Sequence, residues 1–457
     1  MSGHDATTHE ADVVVLGMGP GGEDVAGRLA EAGLDVVGIE AGLVGGECPY
    51  WGCIPSKMMI RAAHLVAEAR RLPGVAGSAS VEPSWAPVAE RIRSQATDNW
   101  DDTVAVDRFV GKGGTFVRGR GRLVSGDTVA VGERQFVARR GVVVATGTTA
   151  AIPPIPGLSD TPYWTNRDAV EAKELPSSII VLGGGAIGAE LAQVYARFDV
   201  TTTIVEAADR LLPLEEPRAG ELIGDVFATE GIDVVTGVGA TRVDHGGGFT
   251  VTLADGRELT AEQLLVATGR RVDLAAIGAD AIGIDPTGRS LPVDERCRVT
   301  DGVWGVGDVT GKGAFTHVAM YQARIVASDI LGESVTPADY SALPRVTFTD
   351  PEVGSVGLTA DAARQAGIDV ATGTTNVPST ARGWLHAVGN DGFIQLVADR
   401  ARGVLVGATS VGPSGGEVLG LLALAVHARV PLEELRSMIY AYPTFHRGVE
   451  DALRDLS

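Results

Sequence analysis

Twice in this chain the sequence runs through the same five parts in the same order: an apolar stretch, a glycine-rich turn, a helical pattern, a second apolar stretch and an acid. The first pass is ADVVVLGMGPGGEDVAGRLAEAGLDVVGIEA. Asp12–Leu16 reads as a buried parallel strand, and Gly17-Met18-Gly19-Pro20-Gly21-Gly22 as the turn. A helix follows through Ala30, and a second strand, Asp35–Ile39, ends at Glu40. The second pass has Ser178–Leu182, then Gly183-Gly184-Gly185-Ala186-Ile187-Gly188, a helix through Arg197, and the strand Thr201–Val205 ending at Glu206. Each turn opens 23 residues before its acid. The glycines let backbone turn tightly and approach a pyrophosphate at the helix N-terminus, and the acid accepts a ribose hydroxyl. Two such units imply two dinucleotides, or one dinucleotide and a relic.

A third repeated element strengthens the pairing. Val142–Gly147 reads VVVATG and Leu264–Gly269 reads LLVATG, each downstream of its own glycine turn. The order reads as two related modules, the second inserted into the first. VWGVGDVTG (303–311) then supplies a last strand of the first module, with Asp308 at the carboxyl edge, where ligands bind in such sheets. From about Asp339 the pattern changes. PRVTFTDPEVGSVGLT and GFIQLVADRARGVLVGATSVG alternate like antiparallel strands, and VLGLLALAVHARVPLEELRSMIY reads as two short helices around Pro431.

The 457 residues suffice for two or three domains, and 61 glycines cluster after apolar runs. A formal net charge of −20 argues against nucleic acid or an anionic membrane as partner. MSGHDATTHE lacks the charge and apolar core of a secretory signal, and no run is long enough to span a membrane. The expectation is a soluble, cytoplasmic protein. Its three cysteines are too few for a disulfide scaffold.

Two of them stand in GGECPYWGCIPSK, at Cys48 and Cys53. Zinc wants about four thiolate or imidazole ligands, and no CxxC or histidine cluster accompanies the pair. Two unconnected buried thiols are a plainer alternative. A disulfide is the third. On a straight helix, residues five apart are separated by about 7.5 Å along the axis, beyond the roughly 7 Å that a bridge tolerates. Bridging therefore needs a distorted first turn, for which Pro49 and Gly52 are suited. Cys53 would open a helix whose dipole, with Lys57 one turn on, favours a thiolate. Cys297, in DERCRVTDG, reads as a bystander.

GGECPYWGCIPSK resembles the redox signature of the class I flavoprotein disulfide reductases, the pyridine nucleotide-disulfide oxidoreductases. The likeness extends from Ala11 to about Leu456 and includes both glycine turns, both ATG strands, the VGD segment and PRVTFTDPEVGSVGLT. It implies an α/β, glutathione reductase-like fold: two Rossmann-like dinucleotide-binding domains plus an α+β C-terminal dimerisation domain. The expected bounds are 1–150 with 270–335 for the FAD domain, 151–269 for the NAD(P) domain and 336–457 for the interface domain. It implies FAD against Gly17, Gly19, Gly22, Glu40, Gly46, Lys57, Gly121, Thr146, Gly147, Asp308 and Thr316. It implies a nicotinamide cofactor against Gly183, Gly185, Gly188, Glu206 and Gly269. Lys57 and Glu190 match the family's ion pair beside the reactive edge of the flavin. Cys53 matches the flavin-side sulfur, Cys48 the sulfur that attacks substrate, and together they match the redox-active disulfide. Glu206 favours NAD(H) over NADP(H), because a carboxylate there repels a 2′-phosphate.

The C-terminus departs from the family. The usual histidine before Pro-Thr is replaced by Tyr442, and the usual glutamate five residues later by Arg447. Tyrosine ordinarily titrates near pH 10, not near neutrality. Three readings stand open: Tyr442 remains an acid, with its pKa lowered by Arg447; His446 replaces it; or the acid–base step is lost and the acceptor is not an ordinary disulfide. The chain ends VEDALRDLS, without the C-terminal cysteine pair of mercuric reductases. The expected function is a homodimeric, FAD-dependent NAD(P)H:disulfide oxidoreductase acting on a small acceptor, each site combining the cysteines of one subunit with Tyr442 of the partner subunit. The alternatives are an NADH:quinone-type reductase, or a redox-sensing flavoprotein of low turnover. No metal site is expected.

Overall fold

The computed structural model describes residues 8–456. The chain divides into two compact units. The first gathers the chain through Pro55, Glu90–Ala151 and Arg270–Asp339; the second gathers Ser56–Ala89, Ile152–Gly269 and the chain from Tyr340 on.

The first unit is built on an eight-stranded sheet. Its main path runs Arg298–Thr300, Val303–Gly305, Arg134–Val144, Thr8–Leu16, Val36–Glu40, Thr115–Arg118. Val303–Gly305 pairs parallel with Val142–Val144, so a strand from beyond the second glycine turn completes a sheet begun at the N-terminus. Alternate residues of Thr8–Leu16 serve opposite faces. Val13 and Val15 pack with Val25 and Leu29 of helix Pro20–Glu31 and with Ala323 and Val326 of helix Thr316–Leu331. Val14 and Leu16 pack with Val129, Phe136, Leu274 and Leu291. Burial on both faces is why this strand shows no polar alternation. The strand begins four residues before the apolar run. Thr8–Ala11 pair with Gln135–Ala138, and the register breaks between Ala11 and Val13. Thr8, His9 and Glu10 are exposed, so no apolar pattern marks them.

The second unit holds a four-stranded parallel sheet in the order Asp233–Val235, Thr201–Val205, Ser178–Leu182, Gln263–Val266. An antiparallel sheet of Ala240–His245, Phe249–Leu253 and Glu258–Ala261 lies in the same unit. The C-terminal part is a five-stranded antiparallel sheet, in the order Pro344–Thr347, Glu352–Gly357, Val404–Gly412, Phe393–Asp399, Val370–Asn376. Helices Gly415–His427, Leu432–Ser437 and Gly448–Asp455 share its core, with Leu419, Leu422, Leu435 and Leu453 buried among Leu396, Leu405 and Ala408. Pro431 caps the second of these helices, at the break the sequence implies.

Ser56–Ala89 belongs to this unit for visible reasons. Trp85 donates its indole N–H to the Ala172 carbonyl at 2.8 Å and packs edge-on against Phe198. Arg71 reaches Asp350 at 2.7 Å. Asp350 is 8% exposed and also meets Arg197, 3% exposed, at 2.8 Å. Gln193 clamps the same residue, donating to its carbonyl and accepting from its amide at 2.8 Å each. The mixed eight-stranded sheet with its parallel core, the four-stranded parallel sheet and the α+β C-terminal part make up the architecture expected from the sequence. No helix among the described residues is long and apolar enough to cross a membrane.

Candidate redox-active site

The two glycine turns are built alike. Gly17 and Gly183 have φ of +97° and +108°, a region that an L side chain rarely enters. A Cβ on Gly22 would strike the Gly17 carbonyl, and one on Gly188 the Gly183 carbonyl. Gly19 and Gly185, by contrast, face open space, as do Gly147 and Gly269 after the two ATG strands. The packing thus excludes side chains inside each turn and leaves room outside it. Glu40 accepts the amides of Met18 and Gly42, each at 2.7 Å. Glu206 accepts those of Gly184 at 2.6 Å and Ala208 at 2.7 Å. Each carboxylate is held in place and retains lone pairs for a ribose hydroxyl.

In the first unit, Thr146 carries a buried hydroxyl with no hydrogen-bond partner among the described residues. Such a group wants a polar ligand. With Gly19, Gly147 and Glu40, it forms a cradle whose residues fit FAD. Gly121 is different: it is buried at the start of strand Gly121–Leu123, and a Cβ there would press on Leu16 and Ile39.

The redox segment lies against the first turn. The Gly45 amide donates to the Met18 carbonyl at 2.7 Å. A Cβ on Gly46 would come within 2.9 Å of the Gly19 Cα. CPYWGC is split between two helical pieces, Glu47–Tyr50 and Cys53–Arg70, with a break at Trp51 and Gly52. The helix is thus interrupted between the two cysteines. Gly52 eases this break, since a Cβ there would lie 3.1 Å from the Glu47 carbonyl oxygen. Cys48 is half-buried, Cys53 exposed and Cys297 buried. The Cys53 sulfur lies 3.5 Å from the Thr316 hydroxyl, at the start of helix Thr316–Leu331. That helix end favours a thiolate. Lys57 follows one turn beyond Cys53 on its own helix.

Asp308 follows strand Val303–Gly305, and its carboxylate accepts the Thr148 hydroxyl at 2.7 Å. Arg270 donates to the Thr148 hydroxyl at 2.7 Å and lies 3.9 Å from Asp308.

In the second unit, Lys57 pairs with Glu190 at 2.9 Å. The other Glu190 oxygen accepts the Phe348 amide at 2.8 Å, and the Lys57 ammonium lies 4.6 Å from the centre of the Phe348 ring. At the C-terminus, Tyr442 is 70% exposed, with the Arg447 guanidinium 5.4 Å from its ring centre. Arg447 also pairs with Glu450 at 2.6 Å. His446 turns toward Thr444, at 3.4 Å.

Several neighbours of these groups escaped the sequence reading. Trp100 donates to the Tyr50 carbonyl at 3.3 Å, and Asp102 accepts the Val44 amide at 2.7 Å, so one segment braces the redox loop at two points. Arg270, Thr148 and Phe348 were missed as well. Their partners are far away in sequence, and only Arg270 had a usable signal, its place directly after the second ATG strand.

Among the described residues, no group of three or more His, Cys, Asp or Glu is arranged to hold a metal. Residues 11–323 match the family model for pyridine nucleotide-disulphide oxidoreductases, and 343–453 match the dimerisation domain of that family. A dihydrolipoyl dehydrogenase of Halobacterium salinarum is 35% identical, over 96% of this chain and 95% of its own length. A mercuric reductase of Acidithiobacillus ferrooxidans is 33% identical, over 96% of this chain and 82% of its own. Among solved structures, the HOCl-induced flavoprotein disulfide reductase RclA of Escherichia coli, as a Cu(II) complex, superposes with a TM-score of 0.85 at 25% identity, covering 98% of this chain and 99% of that one. LpdA of Mycobacterium tuberculosis gives 0.83 at 27%, covering 98% and 99%. The matched dimerisation domain supports a homodimer. The chain is a flavoprotein enzyme that uses FAD and a pyridine nucleotide, and it belongs to the class I flavoprotein disulfide reductases.

Proposed function

We propose that the chain takes a hydride from NADH and passes two electrons, by way of FAD and the Cys48–Cys53 pair, to a small disulfide. One disulfide is cleaved to two thiols for each NADH oxidised. FAD, when bound, accepts the hydride and hands its electrons to sulfur. The protein does the rest. The helix end at Thr316 and the ammonium of Lys57 favour Cys53 as a thiolate, and Glu190 keeps Lys57 in place. Cys48 attacks the substrate disulfide. Tyr442 of the partner subunit supplies the proton to the leaving thiol. The observation that carries this reading is the seat of the redox loop on the first glycine turn, Gly45 on Met18 and Gly46 against Gly19. The preference for NADH rests on Glu206.

A second reading rests on Tyr442. An acceptor that needs no thiol protonation, such as a quinone, suits a site that lacks the histidine. The test is oxidation of NADH and NADPH against lipoamide, low-molecular-weight disulfides and quinones, with wild type, Tyr442→His and Cys48→Ala. Disulfide turnover in wild type that Cys48→Ala abolishes supports the first reading. Quinone turnover that persists in Cys48→Ala, without disulfide turnover in wild type, supports the second. No turnover with any acceptor sinks both and favours a sensing role.

A further inference from the structure

Arg270 opens the part of the first unit that follows the second ATG strand. Strand Arg270–Arg271 pairs antiparallel with Thr149–Ala150, which fixes the Arg270 backbone beside Thr148. The guanidinium then meets two hydrogen-bond acceptors and two carboxylates. It donates to the Thr148 hydroxyl at 2.7 Å and to the Thr148 carbonyl at 2.8 Å. It lies 3.9 Å from the Asp308 carboxylate and 3.8 Å from that of Glu47. The Thr148 hydroxyl has one proton, which it gives to Asp308 while accepting from Arg270. The donors therefore run in one direction, from Arg270 through Thr148 to Asp308. The Arg270 side chain is 18% exposed, so these pairs are screened less than surface ones. A flat, five-donor fork can bond the Thr148 hydroxyl and carbonyl together while facing both carboxylates; a compact lysine ammonium is not shaped for this.

We propose that Arg270 is a positioning residue that ties the cofactor-side carboxylate, Asp308, to the redox loop at Glu47, the residue before Cys48. One guanidinium then fixes both the group that holds FAD and the segment that carries the attacking sulfur. The inference rests on reading the first unit as the FAD site.

The test uses holoenzyme. FAD release is followed by flavin fluorescence, and the long-wavelength band of the two-electron-reduced enzyme is recorded in the same samples. Arg270→Met should weaken FAD binding about tenfold, or ~1.4 kcal/mol, and should shift or weaken the band. Arg270→Lys should recover only part of either effect. Glu47→Gln breaks the link on the loop side alone, so it should alter the band and leave FAD binding within about twofold. The exposed neighbour variant Arg271→Met should match wild type. Wild-type FAD binding and band in Arg270→Met overturn the proposal, as does an unchanged band in Glu47→Gln. A wild type that takes up no FAD overturns the flavin reading beneath it; a yellow wild type with an unaffected Arg270→Met overturns the Arg270 assignment alone.

Discussion

Replacing Asp350 by Asn keeps the shape of the side chain and removes its charge. Asp350 is 8% exposed, and its carboxylate faces Arg71 at 2.7 Å and Arg197 at 2.8 Å. Stranding a buried cation typically costs about 3–5 kcal/mol. Arg197 keeps Glu230 at 2.6 Å, which places the expected cost near the lower end, at ~3 kcal/mol. At about 1–2 °C per kcal/mol for a chain of this size, the unfolding midpoint should fall by roughly 3–6 °C in a calorimetric or dye-monitored melt. The control is Arg70→Met, which removes an exposed pair with Asp199 worth about 0–1 kcal/mol. pH adds a second signature. Burial pushes the Asp350 carboxyl up, but Arg197 and Arg71 outweigh it and hold the group below its usual value of 3.8. The native state therefore binds this proton less readily than the unfolded chain. The stabilisation is complete above the unfolded pKa and is lost as pH falls through the folded one. Wild type should show this acid-side loss and Asp350→Asn should lack it. A midpoint within a degree or two of wild type, or equal damage from Arg70→Met, would refute the argument.

Gly22→Ala sets a methyl against the Gly17 carbonyl and should yield protein that retains little FAD, read from its absorbance after gel filtration. Cys53→Ser should abolish the long-wavelength band of the two-electron-reduced enzyme, whereas Cys48→Ala should keep a thiolate beside the flavin and so a band. A surviving band in Cys53→Ser reverses the sulfur assignment. Glu206→Gln should lower the ratio of kcat/KM for NADH over NADPH by about tenfold or more, since it removes a charge facing the 2′-phosphate position. An unchanged ratio would mean that other groups set the preference.

The glycine turns were legible because steric demand writes itself locally. Gly17 and Gly22 must both lack side chains for the turn to close, and they stand five residues apart in one phrase. The split in CPYWGC could be reasoned from bridge geometry and the placement of Pro49 and Gly52. Lys57 could be placed from helix spacing, but its pairing with Glu190, 133 residues away, came only through resemblance. Asp350 and Trp100 left no trace, since an ion pair or an indole N–H joining distant segments imposes no periodicity on either one. The exposed start of strand Thr8–Leu16 was invisible for a related reason. Backbone pairing holds it, and backbone hydrogen bonds do not select side chains.

The pairing of Val303–Gly305 with Val142–Val144 bears on synthesis. The N-terminal strands leave the ribosome with one edge of Arg134–Val144 uncovered at its apolar end. About 160 further residues must be made before the covering strand exists, which takes on the order of 10–30 s at usual translation rates. Through that interval the nascent chain presents an open apolar edge, the kind of surface on which chains stick to one another. Yield on overexpression should therefore depend on how quickly residues 145–305 are translated and on whether a chaperone shields that edge meanwhile.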